Sequence, residues 1–506
     1  MKINIRTTKV QKLFRTAALC GGILFLNSCE KGLDYKTYGD LNTVITTPEG
    51  VSAAVTTAYT GLAGGSDWQG GWDAGTYAWR TQAMMTTDEG VCAWANDWIK
   101  MHTLNFTPDF DWVTHNYTRY LPFISRIAIT LEDMKNINMD QALKSRLEGE
   151  LKALRAHYAE MLYFAYGPLT IVTDAKIAAD PNAAPVPRPT NEEMVKQIEK
   201  DFLEAADVLP AKFTGLDYGR FSKAAALTGL MKLYMHEKQW AKAVETGNKL
   251  KTLGYSLQPK YEDLFSIANK GGASTEIILA VVCVSTGTDQ YTNMWLAHAL
   301  PTDYKDPSGI NLTAWGGYKM RWTSYDKFDK QDKRLSVLLE SYPSGKDASG
   351  NVTYTNARTS GQLGAVPMKF APDPSKANAQ NSAIDFPIYR YADVLLMLAE
   401  SINEANGGPN TDAYEAVNLV RSRAGLGNLL SGLNKAQFLA KIQDERLFEL
   451  WAEGWRRDDL IRWNLFTKRA ADDGSTTAES FKVLYPLPRA AVTQSNGIIK
   501  QNAGYN

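Results

Sequence analysis

Two stretches of similar length, residues 220–253 and 393–424, each read as a pair of helices folded back on itself, which restricts the chain to helix-on-helix packing. In the first, the segments 220–237 and 240–253 are joined by the turn Lys238-Gln239 and closed by Gly254, a residue that enters the left-handed conformation without steric cost. In the second, residues 393–405 and 411–424 flank Gly407-Gly408-Pro409-Asn410, and Gly425 is the cap. Ala224, Ala226 and Gly229, with Leu230, Tyr234, Trp240 and Ala243, give the first hairpin the pattern of a tetratricopeptide repeat.

Other segments extend the helical reading. Thr46-Thr47-Pro48-Glu49 has capping-box spacing ahead of Val51, Val55 and Tyr59, and the helix it starts ends near Gly61. Residues 143–165 carry Leu147, Leu151, Leu154, Tyr158, Leu162 and Ala165 on one face until Gly167-Pro168 stops them. Thr190-Asn191-Glu192-Glu193 caps a helix through Val195, Ile198, Phe202, Ala205 and Leu209. Residues 435–463 read as one amphipathic helix, with Gly454 permitting close packing. Its charges form the i,i+4 pairs Glu453–Arg457 and Asp458–Arg462 of a solvated face, which argues against paired catalytic carboxylates there.

Two regions break the pattern. Residues 64–111, rich in Gly, Asp and Trp, read as a long ordered loop, and residues 255–388 as irregular structure with a few strands, including a buried one at 277–284. The expected fold is mainly α: a tetratricopeptide-like hairpin scaffold with long irregular loop insertions and a few short strands.

At the N-terminus, Lys2, Arg6, Lys9, Lys12 and Arg15 precede a short apolar run from Ala17 to Leu26, the layout of a secretory signal and too short to span a bilayer. The run closes on Leu26-Asn27-Ser28-Cys29, which resembles a bacterial lipobox, with Cys29 the lipidated residue. The chain thus divides into a signal peptide (1–28), a lipid-anchored tether (29–42) and one domain (43–506). Beyond Cys29 only Cys92 and Cys283 remain, too few for a disulfide scaffold or a cysteine metal cluster, and Cys283 reads as a buried thiol. Lys plus Arg and Asp plus Glu number 55 each, so no global field favours nucleic acid. His102, His115, His157, His236 and His298 are scattered, and no nucleotide fingerprint or nucleophile elbow appears, so neither metal nor cofactor is expected.

The run Arg390-Tyr391-Ala392-Asp393-Val394-Leu395-Leu396-Met397-Leu398-Ala399-Glu400, then Val420-Arg421-Ser422-Arg423-Ala424-Gly425-Leu426, then Asp444-Glu445-Arg446 through Trp463, followed by Tyr485-Pro486-Leu487-Pro488, resembles the C-terminal signature of the SusD/RagB family. The Trp240 hairpin and Cys29 fit the same family. The resemblance implies an outer-membrane lipoprotein of Bacteroidetes, facing the extracellular side, that captures a nutrient, usually a glycan, as the lid of a SusC-like TonB-dependent transporter. Behind Cys29, Glu30-Lys31-Gly32-Leu33-Asp34 departs from the compact acidic cluster of many surface-exported members.

A glycan site needs flat rings for the C–H face of a sugar and polar side chains for its hydroxyl rim. Of the 13 tryptophans, Trp68, Trp72, Trp79, Trp94, Trp98 and Trp112 fall in the first irregular region, and Trp295, Trp315 and Trp322 in the second. The segment from Thr87-Asp88-Glu89 to Thr107-Pro108-Asp109 resembles the glycan-proximal loop of family members. Trp98 is the first choice of platform, with Asp97 and Asn96 beside it; Asp67, Trp68, Trp72, Trp94, Trp315, Arg321 and Trp322 complete the candidates. Most tryptophans in any protein are core, so two or three of the nine are expected to matter. A peptide ligand on the same scaffold, and a surface glycoside hydrolase with two facing carboxylates, are the competing readings.

Overall fold

The computed structural model describes residues 45–63, 71–94, 96–285, 291–375 and 379–505. Cys29, the signal peptide and the tether lie outside the described residues, as do Asp67 and Trp68. Among the described residues no helix is long and apolar enough to cross a membrane.

Local chemistry sets the helix ends. The Thr47 hydroxyl accepts the Gly50 amide at 3.1 Å to start α1 (Pro48–Tyr59), with proline in the first turn, where no amide is required. Three short elements follow where the sequence reads as loop: α2 (Trp79–Met85), a strand at Gly90–Cys92 and α3 (Asp97–His102). Unforeseen too is α4 (Asp111–Asp133), which buries Trp112, Val113, Asn116, Tyr117, Tyr120, Ile124 and Ile127 at helical spacing and carries Pro122 within it. Asp140 caps α5 (Gln141–Tyr166), which ends at Gly167 with φ +73°, and a complete capping box at Thr190 and Glu193 starts α6 (Asn191–Val208). The first hairpin is α7 (Lys223–His236) and α8 (Trp240–Lys251). A short helix, α9 (Trp295–Ala299), interrupts the insertion. The second hairpin is α10 (Tyr391–Asn406) and α11 (Thr411–Arg423), with Gly407 left-handed between them.

The expected single helix over 435–463 is two, α12 (Lys435–Leu450) and α13 (Arg456–Arg462), separated by a turn in which Ala452 and Gly454 have φ of +56° and +91°. The helices stack in series, α5 on α6, α6 on α7, α7 on α8, α8 on α10, and α10 on α11 and α12. Close approach depends on small residues: a Cβ at Gly229 would lie 2.5 Å from the Phe202 ring. The compact unit they form runs from Thr46 to Asn506.

Among the described residues eight short strands complete the fold: β1 (Gly90–Cys92), β2 (Ile277–Val281), β3 (Tyr318–Arg321), β4 (Leu338–Leu339), β5 (Ser341–Lys346), β6 (Val352–Asn356), β7 (Gly364–Pro367) and β8 (Phe386–Arg390). They form an antiparallel sheet in the order β1-β3-β7-β4, with Val91 opposite Lys319 and Met320 opposite Ala365, and the pairs β2-β8 and β5-β6. The 277–284 strand stops at Val281; Cys283 beyond it is buried, and both it and half-buried Cys92 are free thiols.

The charges at the C-terminal end correct the expectation most sharply. They do not form i,i+4 surface pairs. Glu453 is buried against Lys369 at 2.5 Å and the Arg390 Nε at 2.7 Å; Arg462 takes Glu400 and Asp459, both at 2.8 Å. Arg457 donates to the carbonyls of Phe164 and Val483. Arg334 reaches Asp332, Glu445 and Glu449, and Arg446 joins Asp393 to Asp459. Charges so far from water hold only because each is paired and hydrogen-bonded.

Adjacent carboxylates are split by this network. Burial alone would raise Asp88, but Arg456, bonded to it at 2.9 Å through both oxygens, and Arg469 hold it well below the usual range. Burial pushes Glu89 up to about 7 against the opposing Ala452 amide and the charges of Arg456 and Lys369. A carboxyl raised in the fold stabilises it below its unfolded value near 4.5 and loses that contribution as pH rises through 7. Glu89→Gln is therefore expected to match the parent near pH 4.5 and exceed its stability at pH 8 by up to about 3 kcal/mol. Urea unfolding at the two pH values checks this; parallel pH profiles would refute it.

Candidate functional site

The two irregular regions meet at β1 and β3. Past β1, the Ala93 amide donates to the Gly317 carbonyl at 2.8 Å, and Trp94 Nε1 donates to the Trp315 carbonyl at 3.0 Å. The Trp94 indole lies flat on Gly317, where any Cβ would fall 2.6 Å from the ring. Trp315 is clamped from behind, its amide bonded to the Ala297 carbonyl at 2.7 Å and those of Gly316 and Gly317 to Leu300 and His298. Thus α9 serves as the anvil on which the 315–317 turn is formed.

Beneath the turn, the buried Lys319 ammonium donates to the carbonyls of Ala299, Gly316 and Tyr318 at 3.0, 3.0 and 3.1 Å. Burial lowers its pKa to about 8. Three carbonyl acceptors and no carboxylate make it a backbone pin rather than an ion-pair partner.

Trp94 and Trp315 are half-buried, whereas Trp98 is 7% exposed and sits edge-on to Trp94, Trp112 and Tyr318 at 5.8, 4.7 and 5.4 Å. His298 extends the cluster, 4.8 Å from both Trp315 and Tyr318. Trp98, the first choice of platform, is thus enclosed, and of the three rings around it Trp94 alone reaches solvent. Exposed Asn96, at φ +64°, starts α3, and Asp97 pairs with Lys100 at 2.6 Å on the outer turn. On the far side Tyr77 donates to Asp111 at 2.7 Å and stacks on His115 at 4.3 Å. Burial, the Asp111 contact and the charge of Asp97 raise the Tyr77 pKa, so this hydroxyl stays a donor.

The remaining candidates stand elsewhere. Trp72 is buried and donates to His157 at 3.2 Å, so it presents no face. Trp322 is half-buried under Arg358, whose guanidinium lies 3.9 Å from the ring centroid. Arg321 bridges His102, at 3.2 Å, and Asp473. Among the described residues no group of histidine, cysteine or acidic side chains is arranged to hold a metal. Tyr77, His298 and Lys319 were missed in the sequence, where only proximity in space gives them meaning.

Together these features define a class: a helical-hairpin scaffold whose insertions present an aromatic and polar surface. Family comparison agrees. A SusD family model matches residues 254–476, and a model described as starch-binding associating with outer membrane matches residues 33–235. SusD-like protein P2 of Formosa agariphila is 26% identical over 312 residues, 56% of this chain and 60% of its own, so this chain spans about three fifths of that relative. The starch-binding protein SusD of Bacteroides thetaiotaomicron is 23% identical across 99% of this chain and 100% of its own. A laminarin-binding SusD-like protein superposes with a TM-score of 0.76 at 22% identity, covering 91% of this chain and 100% of its own. Surface glycan-binding protein A of B. thetaiotaomicron with laminarihexaose superposes at 0.72 and 20% identity, covering 90% and 100%. The chain belongs to the SusD family.

Proposed function

We propose that this protein is a non-catalytic, lipid-anchored glycan-binding protein of the outer membrane, facing outward, that captures an oligo- or polysaccharide and passes it to a SusC-like TonB-dependent transporter. The observation that carries this reading is the pairing of Trp94 and Trp315, two half-exposed indoles from separate insertions locked by one hydrogen bond, with Asn96, Asp97 and Lys100 following Trp94 in the chain and Tyr77 within the field of Asp97. Rings fixed from below stack on a sugar face with little ordering cost, and the flanking polar groups meet the hydroxyl rim. Trp98 acts in this reading as the support that orients Trp94. Asp67 and Trp68 remain candidates from the sequence alone. The starch, laminarin and laminarihexaose in the names of the relatives support a glycan over a peptide. Against a hydrolase, Glu445, Glu449, Glu453 and Asp459 are each buried in ion pairs.

Affinity electrophoresis of the protein starting after Cys29, through gels holding plant, microbial and host polysaccharides, tests the reading. Retardation by a glycan and its loss in Trp315→Ala, at about tenfold or more in affinity, is the expected result, since one stacked ring contributes about 1–2 kcal/mol. Retardation by none of the panel would refute glycan capture.

A further inference from the structure

A second cleft, of about 300 Å³, opens beside Trp322 and is lined by Asp88, Thr323, Lys327, Lys468, Arg469 and Asp473 among others. Its carboxylates are already claimed: Asp88 by Arg456 and Arg469, Asp472 by Lys468 at 2.7 Å, and Asp473 by Arg321. Lys327 has the loosest partner of the cleft's cations. Its ammonium, with the side chain 36% exposed, comes no closer than 3.8 Å to Asp88 Oδ2, beyond hydrogen-bond length. Asp88 is one carboxylate among three cations, and exposed Thr323 adds a hydroxyl on the same wall.

The electrostatics point the same way. Burial lowers the Lys327 pKa, Asp88 opposes this, Arg469 and Arg456 lower it further, and Asp444 opposes them from the side. A partly buried ammonium beside two guanidiniums, with its one nearby carboxylate beyond hydrogen-bond length, gains from an added anion. The cleft lies within an oligosaccharide's reach of the aromatic pair. Thr477, just past the wall residues, donates to the Thr103 carbonyl at the end of α3, and the chain from Gly317 under Trp94 to Thr323 spans at most about 20 Å as a strand.

We infer that the Lys327 cleft receives an anionic substituent, a carboxylate or a sulfate, of a glycan whose neutral rings lie on Trp94 and Trp315. The ammonium and Arg469 take the anion's oxygens, and Thr323 donates a third hydrogen bond. The inference rests on the glycan-binding reading and narrows it to acidic glycans.

Calorimetric titration of the protein starting after Cys29 with oligogalacturonate and with a sulfated galactan oligosaccharide, each beside its carboxyl-reduced or desulfated form, tests it. At least one acidic probe is expected to bind tenfold or more tightly than its neutral counterpart. Lys327→Gln should abolish that advantage, and Lys327→Arg should keep it. Carboxylate and sulfate arms identify the substituent. Equal binding of acidic and neutral forms, or an advantage untouched in Lys327→Gln, would overturn the inference while Trp315-dependent binding of the neutral forms leaves glycan capture standing. Failure of every probe, acidic and neutral, would overturn the inference, while the polysaccharide gel panel decides separately whether glycan capture stands. Lys327 is a surface residue, and an unchanged melting temperature in Lys327→Gln confirms that the variant is folded.

Discussion

Replacing Arg390 with methionine is expected to lower the unfolding free energy by about 3–5 kcal/mol, the cost of leaving buried charges without their partner. Its guanidinium bonds to Glu276 at 2.8 Å, to Glu453 at 2.7 and 2.8 Å, to the Glu449 carbonyl at 2.7 Å, and also to the Glu449 carboxylate, all out of contact with water. Arg423, Arg334 and Lys369 remain on the same carboxylates but cannot fill the space Arg390 leaves among the three. Lysine does not rescue the site, because one ammonium cannot reproduce the planar fork. The exposed pair Arg358–Asp326 is the control, expected to cost less than about 1 kcal/mol when Arg358 is replaced by methionine. Urea unfolding followed by tryptophan fluorescence separates the two. A loss at Arg390 no larger than at Arg358 would mean that the buried carboxylates are neutralised another way.

Gly454→Ala is the second large effect, expected at about 3 kcal/mol or more. At φ +91° an L-residue is strained by about 1–2 kcal/mol, and the added Cβ falls 2.6 Å from Trp72 Cζ3 and 3.2 Å from the Arg80 Cα. Trp72 cannot yield freely: its Nε1 is held by His157 and its ring lies 4.8 Å from Trp455. Overpacking of this kind costs about 1–3 kcal/mol. Thermal unfolding gives the magnitude, and a change below 1 kcal/mol would show that the turn can shift as a body.

The sequence was most readable where structure is decided locally. Caps at Thr47 and Thr190, and glycines at 167, 254 and 407, act within a turn of their helices, so the hairpins fell within a few residues of their predicted ends. The 111–133 helix escaped because Pro122, Thr and Asn interrupt its apolar face, although Trp112, Tyr120, Ile124 and Ile127 keep helical spacing. The C-terminal charges were misread for the opposite reason. Spacing of four suggests a neighbour on the same helix, but Glu453 finds its partners at Lys369 and Arg390 and Arg462 finds Glu400. Composition pointed to tryptophans in the two insertions, but which indole faces outward depends on what lies behind it. Trp98 is enclosed by Trp112 and Tyr318, and Trp72 by His157 and Trp455, contacts across tens to hundreds of residues.

The loop that carries Trp94 and α3 is secured by residues near the far end of the chain: Asp88 to Arg456, Glu89 to the Ala452 amide, Thr103 to Thr477 and the Phe106 carbonyl to Lys482 at 2.9 Å. During synthesis these anchors emerge hundreds of residues after the loop, and such distant closures are slow to form. Without the residues up to 482, the loop has no floor to rest on. A chain cut short before that point would keep most of its hairpins yet lack the supports beneath Trp94 and α3.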